Sequence, residues 1–246
     1  MNDKVVLGTS ESIRWENNQL LFFEDHYRSL LAKMRMKRMP IGMYFTPDWL
    51  LAHINAWIKS TETLDTAVID VVVQWSGRGD VSVQIFSEVP RLSAHTVIDL
   101  YRDYYITPGL AQFPLTDFTA LNYLASVYGL ENEYDVCLLM NTQKELVQTH
   151  LGSFFCVMDQ DIVTPELNSG LLVNVWRSQA VKVFNEAGLK VVEKPMGLFD
   201  LQKAQGVFVL GPQTGFLIVD QFRKTVFDRS SCQHVMDIWS KIALNH

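Results

Sequence analysis

The stretch from Thr107 to Thr116 most constrains how this chain can fold, because it carries Pro108, Gly109 and Pro114. Proline lacks a backbone N–H and glycine weakens regular elements, so such a stretch favours a connection between two folded parts. It divides a chain of 246 residues, and both halves contain strand and helix patterns. We therefore predict an α+β or α/β protein with one domain over 1–106, a linker over 107–116 and a second domain over 117–246.

In the first half, the pair Asn17-Asn18 predicts a tight turn between strands at Glu11–Glu16 and Gln19–Phe23. A helix is expected to begin near Asp25 and to run through Met39. Thr46-Pro47-Asp48 predicts the start of a second helix, because it offers a hydroxyl cap, a proline in the first turn and an acid near the positive helix end.

The β-branched residues of Ala67–Ser76 and the alternation of Val81–Ser87 predict a hairpin. Thr96–Ile106 is interpreted as a third strand of the same sheet. In the second half, helical spacing predicts helices, and apolar runs predict a meander of three strands. The helices are Phe118–Tyr128, Val173–Ala187 and Ser231–Leu244, and the strands are Asp135–Asn141, Glu145–Thr149 and Ser153–Met158.

Composition excludes several classes of function. The formal net charge of -6 gives no general attraction for phosphate backbones, so we expect no nucleic-acid partner. The three cysteines, Cys137, Cys156 and Cys232, are widely spaced and form no Cys-x-x-Cys pair, so we expect neither a metal site nor a disulfide framework. No export segment or membrane-length apolar run is present, so a cytoplasmic protein without a membrane partner is expected.

Eight short segments are spread along nearly the whole chain. They are Glu11–Arg14, Glu24–Tyr27, Phe118–Leu124, Asp135–Asn141, Ile162–Pro165, Gly170–Arg177, Gly188–Glu193 and Val207–Leu210. In order and spacing these segments resemble the class IV aminotransferases, which are fold-type IV pyridoxal-phosphate enzymes. This family includes branched-chain aminotransferases, D-amino-acid aminotransferases and aminodeoxychorismate lyases.

The resemblance implies an α+β, D-amino-acid aminotransferase-like fold, in which a smaller N-terminal α/β domain over 1–106 precedes a larger C-terminal pseudo-barrel domain over 117–246. It also implies a homodimer and pyridoxal phosphate as the cofactor. In this family a lysine amine forms a Schiff base with the cofactor and later moves the substrate's α-proton. A carboxylate holds the pyridine nitrogen protonated, and an arginine binds the phosphate.

The resemblance places other residues at these three positions. Thr119 stands at the lysine position, and shifting the register by one residue gives Phe118 instead. Gln148 stands at the carboxylate position, and Ser29 stands at the position of the phosphate arginine. A hydroxyl cannot form a Schiff base, and a neutral amide cannot hold a pyridinium by charge.

The two phosphate-binding turns of the family also differ here. Val175 and Trp176 precede Arg177 where the family has Ile and Thr, and we expect the large indole to crowd a phosphate. The second turn carries Pro212 and Gln213, and proline has neither a backbone N–H nor a hydroxyl to donate.

Three hypotheses about function stay open. The first is a family member that has lost Schiff-base catalysis and keeps a reshaped cleft for a small molecule, with no covalently bound cofactor. The second is an active aminotransferase or lyase that uses another lysine, such as Lys144 or Lys33. The third is a non-catalytic partner of an active relative. His150 shares a strand face with Gln148, and a core or edge histidine is favoured there over a catalytic one.

Overall fold

The computed structural model describes residues 7–61, 65–77, 79–88, 94–111 and 118–243. The chain divides into two compact units, and the division lies between the fourth and the fifth strand.

The first unit is a four-stranded antiparallel sheet with two helices. Its elements are β1 (Leu7–Glu16), β2 (Gln19–Leu20), α1 (Phe23–Met36), α2 (Pro47–Ser60), β3 (Thr66–Trp75) and β4 (Ser82–Glu88). The strand order is β2-β1-β3-β4. Residues of both helices share one apolar core with the sheet, including Leu30 of α1, Ile54 of α2 and Ile69 of β3.

Local signals in the first unit were interpreted correctly. Asn17 and Asn18 form the turn between β1 and β2 with φ of 51° and 63°, the left-handed conformation that asparagine tolerates well. The Thr46 side chain caps α2 by accepting a hydrogen bond from Trp49 N at 3.2 Å. The predicted hairpin is confirmed as β3 paired with β4.

The second unit contains two five-stranded sheets, ordered β10-β9-β8-β11-β12 and β14-β13-β5-β6-β7. The strands are β5 (Val97–Leu100), β6 (Val136–Met140), β7 (Leu146–Thr149), β8 (Ser153–Met158), β9 (Asp161–Pro165), β10 (Val191–Lys194), β11 (Gly206–Gly211), β12 (Gly215–Val219), β13 (Gln221–Phe222) and β14 (Thr225–Val226). The helices are α3 (Pro108–Ala111), α4 (Thr119–Glu131), α5 (Val175–Glu186), α6 (Leu198–Lys203) and α7 (Arg229–Ala243), with a 3-10 turn at Leu167–Ser169.

The interpretation of residues 96–106 as a third strand of the first sheet was wrong. β5 pairs in parallel with β6, Ile98 lying opposite Val136, and the Asp135 carboxylate accepts a hydrogen bond from Val97 N at 2.7 Å. The described residues 94–106 therefore lie in the second unit, although the sequence assigned them to the first. The sheet to which β5 belongs is decided by its pairing with a strand distant in the chain, and a local sequence pattern does not show that pairing.

Two further expectations need correction. β8 does not continue a meander after β7, because it pairs with β9 and β11 in the other sheet. The expected linker is partly helical, since Pro108 opens α3 at a position where a missing N–H costs nothing. Residues 112–117 of that linker lie outside the described residues.

The predicted helices of the second unit are confirmed as α4, α5 and α7. Gly188 follows α5 with φ of 83°, the left-handed conformation typical of a helix end. Among the described residues, no helix is long and apolar enough to cross a membrane.

Candidate functional site

Ser29 lies in the first unit, in a polar cluster between β1 and α1. Its hydroxyl donates to the carboxylate of Glu11, which is 7% exposed. The same carboxylate contacts Nδ1 of His26 at 2.8 Å and Nζ of Lys33 at 2.6 Å. The hydroxyl at the arginine position is thus one of three donors to an internal anion.

Burial alone would raise the pKa of Glu11, but hydrogen bonds and charge from His26 and Lys33 outweigh it and lower the pKa below its usual value. Glu11 is therefore ionised at neutral pH. Lys33 also donates to Ser10 O at 2.9 Å, so its ammonium is held by two oxygen acceptors.

The start of α4 carries the position that the resemblance gives to the lysine, and the two candidate residues there, Phe118 and Thr119, differ in burial. Phe118 is 7% exposed and packs in one cluster with Leu139, Val147 and Leu171. Thr119, the first residue of α4, is exposed. The side chain that enters the interior here is therefore the phenyl ring of Phe118.

Gln148 lies close to that cluster. It is buried on β7 opposite Leu139 of β6, and its Oε1 accepts a hydrogen bond from Leu172 N at 3.4 Å. The positions that the resemblance gives to the lysine and to the carboxylate thus adjoin one apolar cluster. A neutral amide and a phenyl ring stand there.

The start of α5 is capped by Asn174, whose Oδ1 accepts a hydrogen bond from Arg177 N at 2.8 Å. Arg177 itself is buried, and its Nη2 donates to Pro165 O at 2.9 Å and to the Glu193 carboxylate at 2.6 Å. Nη2 thus has two protein acceptors, whereas Nε is buried and has no hydrogen-bond partner among the described residues. Val175, the first residue of the helix, is also buried.

Trp176 does not occupy the open end of the helix. Its indole is 1% exposed and lies 5.6 Å from the ring of Trp239 on α7. Phe184 on the same helix also contacts Trp239. We expected this indole to crowd a phosphate. It instead packs between α5 and α7.

The turn between β11 and β12 holds Pro212 and Gln213, both partly exposed. The strand that leads into this turn packs tightly on the loop after β7. A Cβ built on Gly152 would lie 2.3 Å from Leu210 O, and one built on Gly211 would lie 2.2 Å from Leu151 O. Only glycine fits at these two positions, and the turn is fixed beside Ser153, the residue that pairs with Leu210.

His150 is a structural residue, as the sequence favoured. Its ring Nδ1 accepts a hydrogen bond from Cys137 N at 3.1 Å, and the backbone N–H of His150 donates to Cys137 O at 3.0 Å. Burial lowers the pKa of His150 to about 4, so the ring is neutral at physiological pH.

The described residues contain no group of three or more His, Cys, Asp or Glu side chains that could hold a metal ion. Sequence reasoning missed Asn174 as a cap and Phe118 as the inward residue. An Asn directly before a helix is a cap signal that would have identified the first. The second depends on where the helix begins and on which residues pack against it, and the helical spacing of the sequence does not decide either.

The model of the family described as amino-transferase class IV matches residues 8–222. The chain belongs to the class IV aminotransferase family. A curated class IV relative is the putative branched-chain-amino-acid aminotransferase of Methanocaldococcus jannaschii, which is 30% identical over 96 residues. That match spans 37% of this chain and 33% of the relative.

Solved class IV structures confirm the α+β, D-amino-acid aminotransferase-like fold. The branched-chain aminotransferase of Thermoproteus uzoniensis superposes with a TM-score of 0.82 at 18% identity, covering 97% of this chain and 86% of that one. A putative 4-amino-4-deoxychorismate lyase of Legionella pneumophila gives 0.79 at 18% identity, covering 97% and 90%. Pyridoxal phosphate is the cofactor of this family, and a branched-chain aminotransferase of Thermobaculum terrenum was solved in its PLP form, with a TM-score of 0.78 at 18% identity over 97% of this chain and 85% of that one.

Proposed function

We propose that this class IV family member does not link pyridoxal phosphate covalently and performs no transamination. The observation that carries the proposal is the start of α4, where the inward residue is Phe118 and the outward residue is Thr119. Neither side chain has an amine. The neighbouring Gln148 has no charge with which to hold a protonated pyridine nitrogen. The residues present therefore do not fit the cofactor, and no reaction step is assigned to it.

An active enzyme that uses another lysine is less well supported. Lys144 is exposed in the turn between β6 and β7, with φ of 64°. Lys190 and Lys194 are ion-paired with Asp161 and Asp200, each at 2.8 Å. Other lysines with described side chains in the second unit, at 182, 203, 224 and 241, are exposed.

Lys33 of the first unit is the least exposed of the alternatives, and its amine is held by Glu11 and Ser10 O. Forming a Schiff base requires a neutral amine free to attack a carbonyl. Contacts with the Glu11 carboxylate at 2.6 Å and with Ser10 O at 2.9 Å occupy the Lys33 amine instead.

The direct test is spectroscopic. The purified chain is supplied with pyridoxal phosphate and then with a series of L- and D-amino acids, and the visible absorbance of the enzyme-bound cofactor is followed. A class IV enzyme that retains its lysine is the positive control. We expect no bound chromophore and no response to any amino acid. A bound chromophore whose visible absorbance changes when an amino acid is added would establish the active-enzyme alternative.

An interaction role is the second candidate, and α4 supports it. Residues 119–130 contain no charged side chain, and Tyr123, Leu124 and Leu130 are 68%, 44% and 79% exposed. Exposed apolar surface of this kind marks association sites. We propose that the chain forms a homodimer through this helix.

We also propose a cytoplasmic location. The three cysteines of the chain are free and buried, which fits a reducing compartment.

The homodimer is tested by sedimentation of the wild-type chain and of Leu130→Glu. We expect the wild-type chain to be a dimer. We expect the Leu130→Glu dimer to dissociate at a higher protein concentration than the wild-type dimer. Met43→Glu is the control, because Met43 is 99% exposed but lies in the first unit. A monomeric wild-type chain contradicts the homodimer, and complex formation with an added active relative would then support the non-catalytic partner.

A further inference from the structure

We propose that Asn174 sets the ligand class of the second unit's site: its side chain caps α5 where an anion would bind, so that the site excludes phosphorylated ligands. The inference rests on the proposed function. It concerns the phosphate end of the site, which the lysine position does not determine.

The capping geometry is the first step. The first N–H groups of a helix have no partner within the helix and attract anions. In α5, a helix of 12 residues, Asn174 Oδ1 accepts from Arg177 N at 2.8 Å. A phosphate oxygen would have to displace this oxygen to reach the same N–H.

The second step is that the Asn174 amide is held from its other end. Its Nδ2 donates to Ser153 Oγ at 3.1 Å and to Leu172 O at 3.4 Å. These bonds fix the orientation in which Oδ1 points to the helix. The amide carries its acceptor oxygen on one side and its donor nitrogen on the other, so it cannot turn without losing them. Displacing the cap would therefore break contacts with Ser153 of β8 and with Leu172, two residues earlier in the chain.

The third step concerns space and charge around the cap. Ser153 pairs with Leu210, directly before the turn at Gly211, and the adjoining backbones approach too closely for a Cβ on Gly152 or Gly211. The cation of this region, Arg177, is paired with Glu193 at 2.6 Å. A phosphate dianion would thus meet an Arg177 N–H that the Asn174 side chain already occupies, and a guanidinium whose Nη2 already has a carboxylate partner. The ligand class that remains lacks a phosphate.

The experiment uses inorganic phosphate as the probe and the full-length chain. Phosphate binding to the wild type, Asn174→Gly and Asn174→Asp is measured by calorimetry and by the amide NMR shift of Arg177 at constant ionic strength. Asn174→Asp is the matched control, because it keeps the cap and adds negative charge. We expect no saturable binding to the wild type or to Asn174→Asp, and saturable binding to Asn174→Gly with a Kd at least about tenfold below the highest phosphate concentration at which the wild type shows none.

Saturable phosphate binding to the wild type with a shift of the Arg177 amide would overturn the inference. Equal affinities of the wild type and Asn174→Gly would also overturn it. Asn174→Ala provides a second cap-free variant that adds less backbone freedom than glycine. These readouts are independent of covalent chemistry, so a cofactor-linked lysine would end the proposed function without altering the phosphate titration.

Discussion

His26 donates a hydrogen bond from Nδ1 to the Glu11 carboxylate at 2.8 Å, inside the first unit. An ionised carboxylate can only accept, so this nitrogen carries the proton. The opposite ring nitrogen, Nε2, is buried and has no hydrogen-bond partner among the described residues. Nζ of Lys33 lies 2.6 Å from Oε1 of Glu11 and places a positive charge beside the carboxylate. The cluster is therefore an internally compensated charge that joins α1 to β1.

Glu11→Gln is expected to lower the free energy of unfolding by about 3 kcal/mol at neutral pH, because it leaves Lys33 beside a neutral amide. The pKa of Glu11 is lowered in the folded state, so its stabilisation is present above the unfolded-state pKa and is lost as pH falls through the folded-state pKa. Urea unfolding of both proteins should show the difference shrinking below about pH 4. Asp25→Asn, which alters an exposed pair with Arg28, should change little, and a difference that does not depend on pH would contradict this account.

Trp176→Thr, which introduces the family's residue type, is expected to destabilise the second unit by about 3–5 kcal/mol, the range for truncating a large core aromatic. The reason is the loss of the contact with Trp239 and of a fully buried indole. Thermal or denaturant unfolding measures it. Phe199→Ala, at a residue that is 66% exposed, serves as the control, and a cost for Trp176→Thr as small as the control's would place the indole outside the core.

Phe118→Ala and Thr119→Ala distinguish which residue enters the interior at the start of α4. We expect Phe118→Ala to cost about 3–5 kcal/mol, and Thr119→Ala to cost about 0.5 kcal/mol or less. The same denaturant series measures both variants. The reverse order would return Thr119 to the interior and weaken the observation on which the proposed function depends.

Native thiol reactivity tests the packing of both sheets of the second unit. Burial raises the pKa of Cys137 to about 12 and that of Cys232 to about 11, and it raises the pKa of Cys156 in the same direction. Because the thiolate is the reactive form, a disulfide reagent at mildly alkaline pH should label none of them in the folded chain. All three should react in denaturant, and rapid labelling of the native protein would show that β6, β8 or α7, which carry these thiols, open.

Sequence reasoning succeeded where the signal was local. The Asn17-Asn18 turn, the Thr46 cap and the glycine after α5 each depend on a few neighbouring residues, and the structure has all three. It failed for β5, whose partner β6 lies beyond α4 in the chain, because period and propensity do not choose between partners.

The candidate site shows the same limit. The sequence identified Gln148 and Ser29 by position, yet their present contacts with Leu172 and Glu11 join segments that are distant in the chain. The direction of the Trp176 indole followed from the packing of α5 on α7, which no local pattern reports.

The central claim is that no lysine of this chain carries the cofactor. The most direct measurement is to incubate the native protein with pyridoxal phosphate, reduce it with borohydride and map every lysine by peptide mass spectrometry. We predict only partial, scattered modification of exposed lysines. A stoichiometric pyridoxyl group on one lysine, displaced by an amino-acid substrate before reduction, would contradict the account.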